Sequence, residues 1–230
     1  MPTTILITGA NRGLGLEFVR QYAKDGCKVY ATCRHPATAD DLQALQQKYP
    51  NIQICQLDTT SSADLAALTA KISDPIDILI NNAGLLLIDP SWGKLTIDTM
   101  EQSFLVNAVA PLKVTEAFTK HVSSSTRKLV VCVSSSMGSI QENTSGGYYS
   151  YRASKTALNM FMKSAARDLS SQGIQILLLH PGWVKTRMGG DSASITPEES
   201  VTGMRQVIEN YQSSPGEVTF YRYNGTLVPW

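Results

Sequence analysis

Six short runs that are almost continuously apolar, at residues 4–8, 28–32, 52–57, 76–80, 128–133 and 175–179, alternate with longer stretches of helical period. The helical stretches cover 14–24, 39–49, 62–72, 97–121, 149–171 and 197–211. A strand followed by a crossover helix returns the chain to the same end of the sheet, so strands in such a series lie parallel. Strands with apolar residues at nearly every position are those covered by helices on both faces. The chain has 230 residues, 43% of them hydrophobic, which is enough to bury one core without dividing. The expectation is α/β: one domain spanning residues 1–230 around a doubly wound parallel sheet. The last helical stretch opens with Thr196-Pro197-Glu198-Glu199, where Thr caps, Pro suits the first helical position and Glu199 can reach back.

The charge balance narrows the partners. The formal net charge is +1, with Lys and Arg scattered along the chain, which excludes a nucleic-acid footprint and a polybasic membrane patch. A small molecule is the expected partner. The chain passes from Pro2-Thr3-Thr4 into Ile5-Leu6-Ile7 with no charged leader, and no apolar run reaches membrane-spanning length, so a cytoplasmic location is expected. Cys27, Cys33, Cys55 and Cys132 lack Cys-x-x-Cys spacing and lie in or beside apolar runs; neither a metal site nor a disulfide framework is expected.

After the first strand comes Thr8-Gly9-Ala10-Asn11-Arg12-Gly13-Leu14-Gly15, and then a helix. Glycines there allow a tight turn and a close backbone approach to a pyrophosphate, while the helix N-terminus offers free N–H groups. Strand before and helix after is the context this motif requires, so residues 9–15 are read as a dinucleotide turn. Such sites place an acidic side chain on the ribose about 20 residues further on. Here the second strand ends Ala31-Thr32-Cys33-Arg34. A carboxylate would repel a 2′-phosphate, whereas a guanidinium binds it with charge-assisted hydrogen bonds. Arg34, helped by Arg12, therefore points to NADP(H) in preference to NAD(H). Asp58-Thr59 closes the third strand, where Asp58 either accepts the adenine amino group or caps the following helix.

Tyr151 and Lys155 stand four apart on one helix face and can enter the same cleft. A free phenol titrates near pH 10, too high for acid–base work at neutral pH. An ammonium about 4 Å away is worth up to roughly 4 kcal/mol at an effective dielectric of about 20, so Lys155 is expected to lower the phenol pKa. Tyr148 and Tyr149 lack a lysine at that spacing. The fifth strand ends in Ser134-Ser135-Ser136, any one of which can steady a developing oxyanion. The fourth ends in Asn81-Asn82-Ala83-Gly84, suited to lining a cofactor or tying down the neighbouring strand. Asn107 interrupts an apolar helical stretch, either satisfying backbone groups or relaying protons.

Taken together, Thr8-Gly9-x-x-x-Gly13-x-Gly15, Asn81-Asn82-Ala83-Gly84, Asn107, the serine run, Tyr151-x-x-x-Lys155 and Pro181-Gly182 resemble the short-chain dehydrogenase/reductase family over nearly the whole chain. The resemblance implies a Rossmann-type sheet of seven strands in the order 3-2-1-4-5-6-7. It implies a catalytic tetrad of Ser135, Tyr151, Lys155 and Asn107 that moves a hydride between NADP(H) and a small carbonyl or alcohol. Lys155 would hold the nicotinamide ribose, Asn82, Ala83 and Gly84 would line the cofactor, and Pro181, Gly182, Val184 and Thr186 would hold its nicotinamide end. Sixteen positions separate Ser135 from Tyr151, more than the commonest family spacing, so the loop at 140–147 is enlarged. Residues 138–141, the approach 146–148 and the end Leu227-Val228-Pro229-Trp230 look like the branch of C-factor and Sniffer-like carbonyl reductases. Gln141, Tyr148, Trp183 and Met188 are candidates for the substrate wall, with core packing the alternative for Trp183. The segment 187–195, part of the substrate lid in the family, is short and rich in Gly and Ser, which suggests a mobile, fairly open site. Family members pair through the helices at 97–121 and 149–171, which implies a homodimer or homotetramer. The alternative from another functional class is a non-catalytic dinucleotide sensor or signalling module; a sugar-nucleotide epimerase is disfavoured by the short region after Pro181.

Overall fold

The computed structural model describes residues 2–89 and 91–230. Seven strands, β1 (Thr4–Ile7), β2 (Lys28–Cys33), β3 (Ile52–Gln56), β4 (Ile78–Asn81), β5 (Leu129–Val133), β6 (Gln175–His180) and β7 (Val218–Arg222), form one sheet in the order β3-β2-β1-β4-β5-β6-β7. Every adjacent pair is parallel. This is the Rossmann-type topology expected from the sequence. The seventh strand, which the apolar pattern alone does not mark, follows a loop rich in Ser, Pro and Gly.

The helices are α1 (Gly13–Lys24), α2 (Asp40–Lys48), α3 (Ser62–Lys71), α4 (Ile97–Phe104), α5 (Ala110–Ser123), α6 (Tyr149–Leu169) and α7 (Pro197–Asn210). Alternate residues of each central strand serve two cores, as the apolar runs require. Leu129, Val131 and Val133 of β5 pack with Phe18 and Val19 of α1, Leu42 of α2 and Met204 of α7. Val130 and Cys132 pack on the opposite face with Leu65 of α3, Phe118 of α5 and Met162 of α6. Cys33, Cys55 and Cys132 are buried and Cys27 half-buried, all four as free thiols. Among the described residues no helix is long and apolar enough to cross a membrane.

The helix expected over 97–121 is not continuous. A π-helical turn at Leu105–Val109 separates α4 from α5, with Ala110 N–H bonded to Leu105 O. Such single wide turns recur at functional sites, and this one contains Asn107.

The strand order reverses between β1 and β4, and ligands of open α/β sheets bind at the carboxyl ends of strands beside such a reversal. The register sets Ile7 opposite Ile80, Asn81 opposite Cys132 and Val133 opposite Leu179. From β1 through β4 and β5 to β6 each strand runs one residue past its neighbour, ending at Ile7, Asn81, Val133 and His180, so Thr8, Asn82, Ser135 and Pro181 follow one another along the same carboxyl edge.

Candidate active site

The turn after β1 is shaped by Thr8 and Asn82. Thr8 Oγ1 accepts the N–H groups of Asn82 and Ala83, both at 3.0 Å, and Asn82 Nδ2 donates to Thr8 O and Gly9 O at 2.9 and 3.1 Å. The Asn82 side chain thus holds the turn's backbone in place. At Gly15 a Cβ would lie 2.2 Å from Gly9 O, so only glycine lets α1 start this close to the turn. Arg12, the N-cap residue of α1, makes no side-chain cap bond, and the first turn has no acidic residue. Its N–H groups and positive dipole end remain available for an anion. Asn11 and Leu14 flank them half-buried. Thr186 Cγ2 lies 3.5 Å from where a Gly13 Cβ would be, which brings the segment after Pro181 over the same turn. A dinucleotide fits this cradle: tight glycine backbone, uncapped helix, and no acidic residue in the first helical turn.

Arg12 and Arg34 are exposed, and among the described residues neither pairs with a carboxylate at salt-bridge distance. Asp58, beside Thr59, is not the helix cap considered as an alternative: Ser61 caps α3 by accepting from Asp64 N–H at 3.1 Å. Asp58 Oδ1 instead accepts from the N–H and hydroxyl of Thr60, which hold its carboxyl below the usual range, with Arg34 adding to the effect.

Tyr151 sits in the first turns of α6, 8% exposed, with Lys155 one turn further on, 5% exposed. Of the three serines, Ser134 donates to Asn159 Oδ1 at 2.7 Å and Ser136 faces His180 Nε2 at 3.4 Å. Ser135 Oγ accepts from Met137 N–H at 3.2 Å and is the one of the three hydroxyls near enough to the Tyr151 phenol to favour its ionised form. The expected effect of lysine on that phenol is not what the geometry produces. Burial dominates and raises the Tyr151 pKa, opposed by Ser135. Lys155 Nζ donates to Val133 O at 2.9 Å, and its own pKa is lowered to about 8 by burial. Lys155 Nζ lies over the face of the Tyr151 ring, 5.8 Å from its centroid, but its hydrogen bond goes to the end of β5 and not to the phenol oxygen.

Asn107 satisfies backbone groups. Its Oδ1 accepts from Leu85 N–H, and Nδ2 donates to Leu85 O and to Ser154 Oγ. Gly84 faces both Asn107 and Lys155, since a Cβ there would lie 3.2 Å from Asn107 Oδ1 and 3.7 Å from Lys155 Nζ.

Among the wall candidates, Tyr148, Trp183 and Met188 are 45%, 56% and 47% exposed, so core packing does not account for Trp183. The Trp183 indole N–H donates to Gly189 O, and Gln141, also exposed, gives its backbone N–H to Trp230 O. The two ends of the segment 187–195 are joined through the chain beside it: Val184 bridges Ile195, and Lys185 N–H bonds Ile195 O at 2.9 Å. Pro181 O accepts from Ser200 Oγ at 2.6 Å, and a Cβ on Gly182 would meet Ile195 Cδ1 at 2.6 Å. Sequence reasoning missed two residues beside the site: Asp89, bonded to the start of α6, and His180 under Ser136. Neither carries a spacing signal, because each acts through a partner distant in the chain.

The family model for short chain dehydrogenases matches residues 3–195. The chain is 41% identical over 165 residues to the C-signal protein of Myxococcus xanthus, covering 72% of this chain and 99% of that protein. Among solved structures it is similar to the carbonyl reductase Sniffer of D. melanogaster and to the NADPH-bound carbonyl reductase from chicken fatty liver. Each has a TM-score of 0.93 at 33% identity, with all of both chains covered. Sheet order, glycine turn and the convergence of Ser135, Tyr151 and Lys155 agree with these likenesses, and the chain belongs to the short-chain dehydrogenase/reductase family of oxidoreductases.

Proposed function

We propose that residues 1–230 act as one NADP(H)-dependent oxidoreductase domain that interconverts a small carbonyl compound and its alcohol. The observation that carries this reading is a buried Tyr151 phenol with buried Lys155 Nζ over its ring and Ser135 beside it, at the carboxyl edge of the sheet. The NADPH bound to the chicken carbonyl reductase supports the choice of cofactor, as do the unpaired guanidinium groups of Arg12 and Arg34. When bound, NADP(H) supplies or accepts the hydride at the substrate carbon.

The chain's own residues do the rest. Gly9, Asn11, Gly13, Leu14 and Gly15 receive the pyrophosphate at the α1 N-terminus, and Arg12 and Arg34 take the 2′-phosphate. Asp58 and Thr59 flank the adenine; Ala83, Gly84, Pro181, Gly182, Val184 and Thr186 enclose the nicotinamide end. In reduction Tyr151 gives its proton to the carbonyl oxygen. A phenol held protonated by burial is in the right state for that step. Ser135 donates to the same oxygen as charge develops there. Lys155, buried beneath Gly84, holds the ribose. Asn107 fixes Leu85, and its π-helical turn is the place we assign to the water that resupplies the proton. Gln141, Tyr148, Trp183 and Met188 border the substrate entrance.

Replacing Tyr151 with Phe tests the assignment: cofactor binding is retained while turnover of reactive carbonyls falls by about 10²–10⁴-fold. Turnover at the wild-type rate overturns it. One observation favours a second reading, a signalling role on the same fold: the 41% identical relative is named C-signal. Absence of NADPH oxidation with quinones, isatin and aromatic aldehydes would favour that reading.

We also infer a homodimer or homotetramer formed through α4 and α6. Ile97 (71% exposed), Met100, Phe104 and Leu105 on α4 and the π turn, with Met160 on α6, leave large apolar side chains on one helical layer.

A further inference from the structure

Helix α6 begins without a cap of its own. Its N-cap residue Tyr148 lies in the left-handed region (φ 49°, ψ 40°) and makes no side-chain cap bond, and the first turn has no acidic residue. Yet this turn carries Tyr151. The missing acceptor comes from the loop after β4, 61 positions upstream: Asp89 Oδ2 accepts Ser150 N–H at 2.9 Å, and Asp89 Oδ1 accepts the Ser150 hydroxyl. Ser150, the residue immediately before Tyr151, is only 3% exposed. In the same loop, the Trp92 ring lies 5.4 Å from that of Tyr149. Leu85, where the loop begins, is bonded through both backbone groups to Asn107, which also reaches Ser154. The loop is thus fastened to α6 on both sides of Tyr151, at Ser154 through Asn107 and at Ser150 through Asp89.

We propose that Asp89 is a positioning residue for Tyr151: by holding both donors of Ser150 it sets the rotation and height of the α6 start, and with them the place of the phenol. A carboxylate at a helix N-terminus is favoured by the exposed N–H groups and by the dipole. Proton transfer is sensitive to ångström-scale misplacement of the donor. This inference rests on the reading of Tyr151 as proton donor. It assigns Asp89 no contact with the reacting atoms.

The test combines steady-state kinetics, using NADPH and an aromatic aldehyde, with hydrogen exchange of the free protein. Asp89→Ala is expected to lower kcat at least about tenfold, with KM for NADPH within about twofold of wild type and faster amide exchange in residues 146–155 only. Asp89→Asn, which retains one acceptor, recovers part of kcat. Ser150→Ala costs less than Asp89→Ala and adds nothing in the Asp89→Ala background. Wild-type kcat in Asp89→Ala overturns the proposal, as does a loss of kcat that comes with equal weakening of NADPH and faster exchange throughout the sheet. If Asp89→Ala does not fold, wild-type kcat in both Asp89→Asn and Ser150→Ala overturns it instead. Wild-type turnover in Tyr151→Phe would sink the reading of Tyr151; wild-type turnover in the Asp89 variants of an enzyme that Tyr151→Phe silences sinks this inference alone.

Discussion

The Lys155 ammonium lies 5.8 Å from the centroid of the Tyr151 ring and gives its hydrogen bond to Val133 O at 2.9 Å. The two neighbours on one helix face thus meet, the ammonium over the ring, while its hydrogen bond goes to the strand. The phenol stands at the cleft beside Ser135, while the ammonium is sunk against the end of β5, beneath Gly84. Burial acts on both in the direction of the neutral form, raising the phenol pKa and lowering the lysine pKa.

A stability prediction follows from that burial. Lys155 titrates at about 8 in the folded chain against an ordinary 10.5. Between these values the unfolded chain binds more protons, so stability rises with pH across that window and this cost of charge is greatest below pH 8. In the cofactor-free protein, Lys155→Met should be more stable than wild type at pH 7. That advantage should shrink by about 2–3 kcal/mol by pH 10. Denaturant unfolding at the two pH values measures it; a gap that stays constant would show that the lysine is not desolvated in the folded state.

The three serines at the end of β5 give a second prediction, because their partners differ. Ser135→Ala, which removes the hydroxyl facing Tyr151, should lower kcat about 10²-fold with little change in melting temperature. Ser136→Ala, whose hydroxyl faces His180, should leave kcat within about threefold. Ser134→Ala orphans Asn159 Oδ1 inside the core and should cost about 1–3 kcal/mol of stability. Equal kcat losses in the Ser135 and Ser136 variants would mean that the wrong hydroxyl has been assigned to the oxyanion.

These serines also mark the limit of what the sequence made legible. The parallel sheet and the glycine turn follow from periodicity and local motif, which need no long-range knowledge, whereas the strand order came with the family resemblance. The choice of Ser135 among three identical side chains needed family resemblance, and the structure supplies its physical reason in the partners of the other two. The direction of Lys155 could not be read, because the i, i+4 spacing places two side chains on one face without saying where their ends point. The break at Leu105–Val109 could not be read, since the one-position shift that a π turn puts into the apolar pattern is hidden where residues 104–112 are apolar at nearly every position. Asp89 and His180 were invisible for a different reason: their partners are brought to them by the sheet, not by the chain.

Cofactor choice is tested at Arg34. Its guanidinium is exposed at the end of β2 and near enough to Asp58 to lower that carboxyl's pKa. Arg34→Asp removes a charge-assisted partner of the 2′-phosphate and puts a repelling carboxylate in its place. The ratio of kcat/KM for NADPH over NADH should fall by about 10²-fold or more. An unchanged ratio removes Arg34 from the phosphate site and leaves Arg12 as the remaining candidate.

His180 closes β6 directly before Pro181, with Nε2 facing Ser136 Oγ at 3.4 Å and Nδ1 buried with no partner among the described residues. Burial, and then the charge of Arg222, lower its pKa to about 4 from an ordinary 6.5. Between those values the unfolded chain takes up a proton that the folded chain refuses. Stability is therefore fully present above pH 6.5 and is lost as pH falls towards 4. At pH 5 the cost is about 2 kcal/mol, which for a chain of this size is a fall of about 5 °C in Tm relative to a variant lacking the imidazole. His180→Gln keeps a polar group of similar reach and cannot titrate. Thermal melts of both proteins from pH 7.5 to 4.5 should diverge below pH 6.5, with wild type falling faster, while acid loss from carboxylates lowers both alike. Parallel curves would mean that the imidazole takes its proton as readily folded as unfolded, which a ring enclosed beside Arg222 with a buried, partnerless nitrogen should not do.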